Sequence, residues 1–590
     1  MEGRRLRSRR TFLTLVLLFC ALSPFVVRAD EDNYEYKDGE VIPFLVNTIG
    51  PYANPSEIYG YYSLPVCAPP KEQRSPDRTF NLGESLEGDE FKKSLYVLKF
   101  KVEEKDKPLC SKQFTVEEVT RLKKAIEEYY YFELLCDDLP VHGFIGTVDG
   151  DKHYLFTHVQ FNVLYNKNQV IAVNVTSDLR KVVELNELTP NEQSVHFTYA
   201  VKWHETDTPF EDRVYLPSLF FNSEMEIHWL SIMNSFVLVI LLTGFLSIII
   251  MRVLKSDYSR YNEEEADEED YGWKLVHGDV FRFPPAKNLF CAMVGTGAQF
   301  LCIAAGLLLL ALVGMFYPGS HGSLYTATIV LYALTSAVAG GVSARLFRQM
   351  QGQKWSWNIL LCASLFAVPF LSVFTFVNST ALSYGTTTAI SFWAVVTVCL
   401  IWVFVGLPLT VFGGIAGRRL GATEFAAPCR TKMAPRQIPS IPWYRQAPVQ
   451  MIMAGFLPFS AIYIELYYIY TSVWGHNSYT LWGILALVFL ILIVVTACIT
   501  IALTYFQLSM EDYRWWWRSF ASGGSTGVFI FVHSFFYYAY RSKMHGFLQL
   551  SFYFGYMSLV SWFFFVMLGT VGWWSALVFV RNIYRNIHVD

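Results

Sequence analysis

Residues Ser551–Val580 read SFYFGYMSLVSWFFFVMLGTVGWWSALVFV. No charged side chain interrupts the run, which exceeds the roughly 20 apolar residues that cross a bilayer as a helix. Similar stretches precede it. They start near Trp229, Leu289, Ser323, Trp357, Ile390, Val449, Leu481, Gly524 and Phe547, which makes nine. The expected fold class is a polytopic α-helical membrane protein with nine transmembrane helices, and the lipid bilayer is its first partner. Composition agrees, because hydrophobic residues are 53% of the chain and charged residues only 16%. A formal net charge of −3 excludes the strongly basic balance of a nucleic-acid binder, and no such partner is expected.

Residues 1–29 read as a cleaved signal peptide. RRLRSRR is basic, TFLTLVLLFCALSPFVV is apolar but short for a span, and Val27 and Ala29 supply small residues at a cleavage site. Residues 30–228 then enter the lumen as one polar domain. Nine crossings from Trp229 to Arg581 leave residues 582–590 in the cytosol. Loop charge supports that orientation. The cytosolic loops hold Arg345, Arg348 and Lys354, then Arg418, Arg419, Arg430, Lys432, Arg436 and Arg445, then Arg514 and Arg518. Arg581 and Arg585 follow the last span. Lumenal loops are nearly bare, with Arg541 and Lys543 the exceptions. The first cytosolic loop, residues 253–288, carries the acidic run Glu263–Asp270, expected to be a solvated segment.

The lumenal domain is expected to be β-rich. SLYVLKFKVE, HYLFTHVQFNVLYN, QVIAVNVTS and SVHFTYAVKWHETD alternate β-branched or aromatic residues with polar ones, as half-buried strands do. TVEEVTRLKKAIEEYYYFELL reads as one helix, with Thr115 and Glu118 in capping-box spacing. Asn174 opens a glycosylation sequon. Cys67, Cys110 and Cys136 lie where disulfides form, and Cys110 with Cys136, flanking the helix, is the expected pair.

No catalytic constellation emerges: H-E-x-x-H, G-x-S-x-G, Walker A and paired C-x-x-C patterns are all missing from the sequence. No enzyme activity, metal or cofactor is expected. Gly413 and Gly417 are spaced as G-x-x-x-G, Gly340 and Ala344 give the small-residue version, and Gly523 and Gly527 repeat it. Such faces let helix backbones approach in lipid, either within the bundle or against a client helix. Glu465, in LPFSAIYIELYYIY, is an intramembrane carboxylate and a functional position by default. It is expected to be protonated or paired with His533, Arg541 or Lys543. Glu511–Phe520, EDYRWWWRSF, is expected to anchor at the membrane interface through its tryptophans.

These stretches together resemble the nonaspanins, the nine-span superfamily also called endomembrane protein 70. The resemblance covers nearly the whole chain. It rests on the signal peptide and large lumenal domain, on VGTGAQF and LPFSAIYIELYYIY, on the segment from Glu511 through HSFFYY, and on the terminal VRNIYRNIHVD. It implies a Golgi and endosomal protein that sorts or escorts client membrane proteins with glycine-rich transmembrane segments, and that is not an enzyme. It also implies that the tail binds the coatomer coat. The family's terminal pattern is lysine, any residue, then an acidic residue. Val589 and Asp590 fit; His588 departs, and with a reference pKa near 6.5 against about 10.4 for lysine it is only partly charged at cytosolic pH. The alternative from a different class is an endomembrane transporter or channel of ions or small solutes, with Glu465 on its pathway. An intramembrane hydrolase would lack a nucleophile and base pair.

Overall fold

The computed structural model describes residues 34–75, 81–215, 229–260, 272–316, 322–420, 424–440, 442–443, 446–476 and 481–585. The expected signal peptide, the acidic run Glu263–Asp270 and the terminal residues His588, Val589 and Asp590 lie outside them.

The N-terminal domain is a sandwich of two main sheets. In one, Tyr130–Cys136 pairs antiparallel with both Phe44–Pro51 and Leu139–Phe144. In the other, Gln169–Ser177, His158–Asn166, Ser194–Glu205 and Glu104–Gln113 lie in that order. Aromatic edges join the sheets. Phe44 meets Phe161 at 5.2 Å and Tyr96 at 5.7 Å, and Tyr96 meets Tyr199 at 5.4 Å. Phe161 and Tyr199 are essentially unexposed, so the rings are the core.

The helix Val116–Glu127 starts on the capping box. Glu118 N donates to Thr115 Oγ1 at 3.3 Å, and Thr115 N donates to Glu118 Oε2 at 3.0 Å. The expected helix was longer. Tyr129 takes φ 52° and ends it, and the aromatic run that follows becomes the central strand Tyr130–Cys136. A second difference is Glu104–Gln113. This charged, proline-containing stretch is a strand, whereas only Leu98 and Lys99 of SLYVLKFKVE are. It is an edge strand, and a register shift opposite Pro108 accommodates the missing donor.

The expected Cys110–Cys136 disulfide is corrected. Cys110 is bonded to Cys67 across a separation of 43 residues. Cys110 and Cys136 flank the same helix in sequence, but the strands they sit on belong to opposite sheets: Cys110 pairs with Phe197 and Cys136 with Phe44. Cys136 is free and fully buried, and burial pushes its thiol pKa up.

Among the described residues nine long helical segments follow: Trp229–Arg260, Lys287–Leu312, Ser323–Gln349, Trp355–Tyr384, Phe392–Leu420, Ala447–Val473, Trp482–Ser509, Trp515–Tyr540 and Phe547–Ile583. We number them spans 1 to 9. All but span 8 are apolar enough by composition to cross a membrane. Span 8 mixes Ser, Gly, Arg518 and His533 with its aromatic residues, and its small residues face neighbouring helices: a Cβ on Gly523 would press on the Leu568 carbonyl, and one on Gly527 on the Ser561 carbonyl. Span 8 begins at Trp515, so the expected start near Gly524 moves a full two turns upstream. With it go the tryptophans. Trp515 and Trp516 are 0% and 2% exposed, not interfacial anchors. Trp515 Nε1 donates to the Val280 carbonyl at 2.7 Å, and Trp516 stacks against Trp515 and Trp573. The loop Trp273–Phe283 covers them.

Candidate functional site

The N-terminal domain is seated on one end of the bundle. His476, after span 6, stacks on the Tyr52 ring at 4.1 Å and donates through Nε2 to the Tyr52 carbonyl at 2.7 Å. His545 N, between spans 8 and 9, donates to Asn54 Oδ1 at 2.9 Å, and Ser56 N donates to Gln549 Oε1 of span 9 at 2.9 Å. Thr387 N, after span 4, donates to the Ile58 carbonyl at 2.9 Å. Gly322 N, before span 3, donates to Glu87. The four connections that touch the domain thus follow spans 2, 4, 6 and 8. An open cleft of about 580 Å³ lies at this junction, lined by Arg74, Glu90, Lys92, Thr386, Thr387 and Ser391 among others. Burial holds the His476 imidazole below the ordinary histidine range, opposed by its bond to the Tyr52 carbonyl.

Glu465 is buried in span 6 at 6% exposure. Its helical neighbour Ala461, four residues earlier and on the same face, packs with Ile491, Val495 and Ile499 of span 7. The Ala461 carbonyl also accepts from Ser235 Oγ of span 1 at 2.9 Å. His533 sits elsewhere. It is ringed by Phe459, Tyr463 and Tyr470 at 5.6, 5.1 and 5.3 Å, and its Nδ1 has no hydrogen-bond partner. Tyr463 and Glu465 are two residues apart, about 200° around a helix. The expected Glu465–His533 pair is therefore split across opposite faces of span 6. Arg541 stacks on Tyr467, also two residues from Glu465, at 5.6 Å.

Span 1 covers the Glu465 face lightly. Leu238, Val239 and Leu242 pack inward against Ala454, Ala461 and span 7. Phe236, Ile240, Leu241 and Ile248 are all more than half exposed.

The glycines are buried in the opposite manner. A Cβ on Gly340 of span 3 would collide with the Thr410 carbonyl of span 5; one on Gly413 would meet the Ala337 carbonyl, and one on Gly417 the Gly341 carbonyl. Gly340, Gly413 and Gly417 thus pack against one another's helices and leave no room there for a client. The seam includes a feature that sequence reasoning missed. Trp402–Gly406 is a π-helical turn ahead of Pro408, and the Gly406 carbonyl accepts from Ser336 Oγ at 3.0 Å and Thr410 Oγ1 at 2.8 Å. The Gly-Leu-Pro sequence inside a span was the available signal.

Asn174 lies on the edge strand Gln169–Ser177, half-buried, and shares its face with exposed Thr176, whose Oγ1 accepts from Asn162 Nδ2 at 3.1 Å. Among the described residues no His, Cys, Asp and Glu cluster could hold a metal.

The Endomembrane protein 70 family profile matches residues 58–547. A Putative phagocytic receptor 1b of Dictyostelium discoideum is 52% identical, covering 98% of this chain and 100% of its own. Transmembrane 9 superfamily member 2 of Arabidopsis thaliana is 49% identical over 99% of this chain and 100% of its own. Transmembrane 9 superfamily member 1 of Bos taurus is 46% identical over 98% and 97%. No solved structure matches.

Proposed function

The chain belongs to the endomembrane protein 70, or transmembrane 9, family and is a multi-pass membrane protein of the endomembrane system; on that premise we propose that it sorts or escorts other membrane proteins through the Golgi and endosomes. The observation that carries this reading is the buried Glu465 carboxylate on the Ala454–Ala461 stripe, which packs on span 7 and is flanked by the lightly seated span 1. A client helix with small residues enters beside span 1 and packs on the Ala454–Ala461 stripe next to the carboxylate. Intramembrane carboxylates are costly to keep, and recognition is one use that repays the cost. No covalent chemistry is required.

In this reading the end of the bundle that carries the domain is lumenal and the far end cytosolic. Two features support it. The inter-span connections that touch the domain follow even-numbered spans, and the far end carries the basic loops. Asn174 is then lumenal and bears a glycan. The tail His588, Val589 and Asp590 faces the coatomer coat and retains the protein in the Golgi.

Transport of an ion or solute is the competing use of Glu465. The experiment compares wild type with Glu465→Gln in cells and in reconstituted vesicles. Loss of client co-purification with no flux in either protein supports sorting. Flux in wild type that the variant abolishes would overturn it.

A further inference from the structure

At the end of the bundle away from the N-terminal domain, the cations divide into two sets. Arg282 is paired with Asp279 at 2.5 Å, Arg436 with Glu511 at 2.8 Å, and Arg514 and Arg518 share Asp512 at 3.1 and 2.9 Å. These charges are neutralised within the fold. Lys287, Arg345, Arg348, Arg418 and Arg581 are not: none has a carboxylate partner among the described residues. They sit at the ends of spans 2, 3, 5 and 9, which pack on one another in the order 5, 3, 2, 9.

Other groups hold four of these in place without cancelling their charge. Lys287 Nζ donates to the Met350 carbonyl at 3.2 Å and lies 5.0 Å from the Phe283 ring centre. Arg418 lies 5.3 Å over Trp355, and Arg348 donates to the Arg418 carbonyl. Arg581 lies 4.4 Å over Phe425. Its Nε is buried and donates to no group among the described residues. Arg345 is within electrostatic reach of Arg581. Phe283 and Phe425 are themselves in contact at 5.7 Å, so the lysine and one arginine stand on a continuous aromatic floor.

Lys287, Arg345 and Arg581, gathered this way, repel, and the repulsion is stronger where water is partly excluded. An anion removes it. A guanidinium stacked on a ring keeps its N–H edge free, and that planar fork fits two oxygens of a phosphate. Cations scattered for orientation alone would snorkel separately to the headgroups, with no need for a buried, unpaired donor. Convergent basic pockets between helices at the membrane edge suit phosphate headgroups.

We infer that Lys287, Arg345 and Arg581 form a binding site for the phosphate of an anionic lipid headgroup, seated between spans 2, 3 and 9. A soluble inositol phosphate offers the same chemistry, and the test separates the two sources. The full-length protein is placed in phosphatidylcholine nanodiscs with or without a phosphatidylinositol phosphate, and lipid retained after detergent extraction is counted by native mass spectrometry. Arg345→Gln with Arg581→Gln lowers retention roughly tenfold or more. The charge-matched pair Arg419→Gln with Arg430→Gln, both exposed, leaves it unchanged. Arg345→Lys with Arg581→Lys retains most of it. Unfolding midpoints in phosphatidylcholine alone show that the variants are folded; if the glutamine pair does not fold, Arg345→Gln alone, at an exposed position, decides. Equal retention by the glutamine and control pairs overturns the site. Displacement of the lipid by inositol hexakisphosphate in equimolar amounts overturns the lipid assignment in favour of a soluble ligand.

Discussion

Two interhelical seams of this bundle use small residues for opposite ends. Between spans 3 and 5, Gly340, Gly413 and Gly417 bring backbone against backbone, and the space is full. Between spans 1, 6 and 7, Ala454 and Ala461 stand beside a buried carboxylate, and the covering helix is mostly exposed. Small residues alone do not say whether a face is closed or receptive. What lies over them does. In lipid the hydrophobic effect does not hold a peripheral helix in place, so a lightly packed span is displaced more cheaply than a glycine-locked one.

Substitution should separate the seams sharply. Gly413→Leu drives a side chain into the Ala337 carbonyl, and the fold has no flexible atoms there to yield. The expected outcome is loss of monodisperse protein in size-exclusion chromatography; wild-type yield would show the seam is not closed. Ala461→Leu is milder. It overpacks the receptive seam by about 1–3 kcal/mol, much of it relieved as span 1 shifts outward. Folded yield is expected to survive while client co-purification falls. Equal damage from both substitutions would erase the distinction.

The junction with the N-terminal domain gives a smaller, pH-dependent effect. The His476 pKa is depressed when docked, so the docked state binds fewer protons there than the undocked one. Its contribution is fully present above about pH 6.5 and is lost as pH falls below that value. Protection factors of residues 52–58, hydrogen-exchange rates corrected for the intrinsic pH dependence, should therefore fall on acidification, and His476→Gln should flatten the response. Protection factors that rise at low pH would reverse the sign. The smallest effect is at the tail. His588→Lys supplies a full positive charge at cytosolic pH and is expected to tighten tail-peptide binding to purified coatomer severalfold. Equal affinities would remove His588 as a weakening departure.

Much of the architecture was legible because two periods are hard to confuse. Runs like Ser551–Val580 admit only a span, and the Thr115 capping box marks its helix start to the residue. What failed depended on contacts distant in sequence. Tyr130–Cys136 continues a helical pattern and becomes a strand because Phe44–Pro51 and Leu139–Phe144 are there to pair with it. Cys110 found Cys67 because sheet membership, not proximity along the chain, sets which sulfurs meet. Trp516 looked interfacial because arginines flank it; the loop that buries it, Trp273–Phe283, is more than 200 residues away in sequence. Glu465 was visible as an anomaly, but its direction was not. Only the positions of Tyr463, Tyr467 and Ala461 reveal that it faces away from His533.

The central claim is that Glu465 lies on a face that receives a client helix. Its most direct test is photocrosslinking from a probe at Ser235 or Ala461 in cells expressing a membrane protein with a glycine-rich span. The account predicts crosslinks to that span in wild type and their loss in Glu465→Gln, with protein level and localisation unchanged. Crosslinks of equal yield in the variant, or crosslinks only within the chain in both, would contradict it.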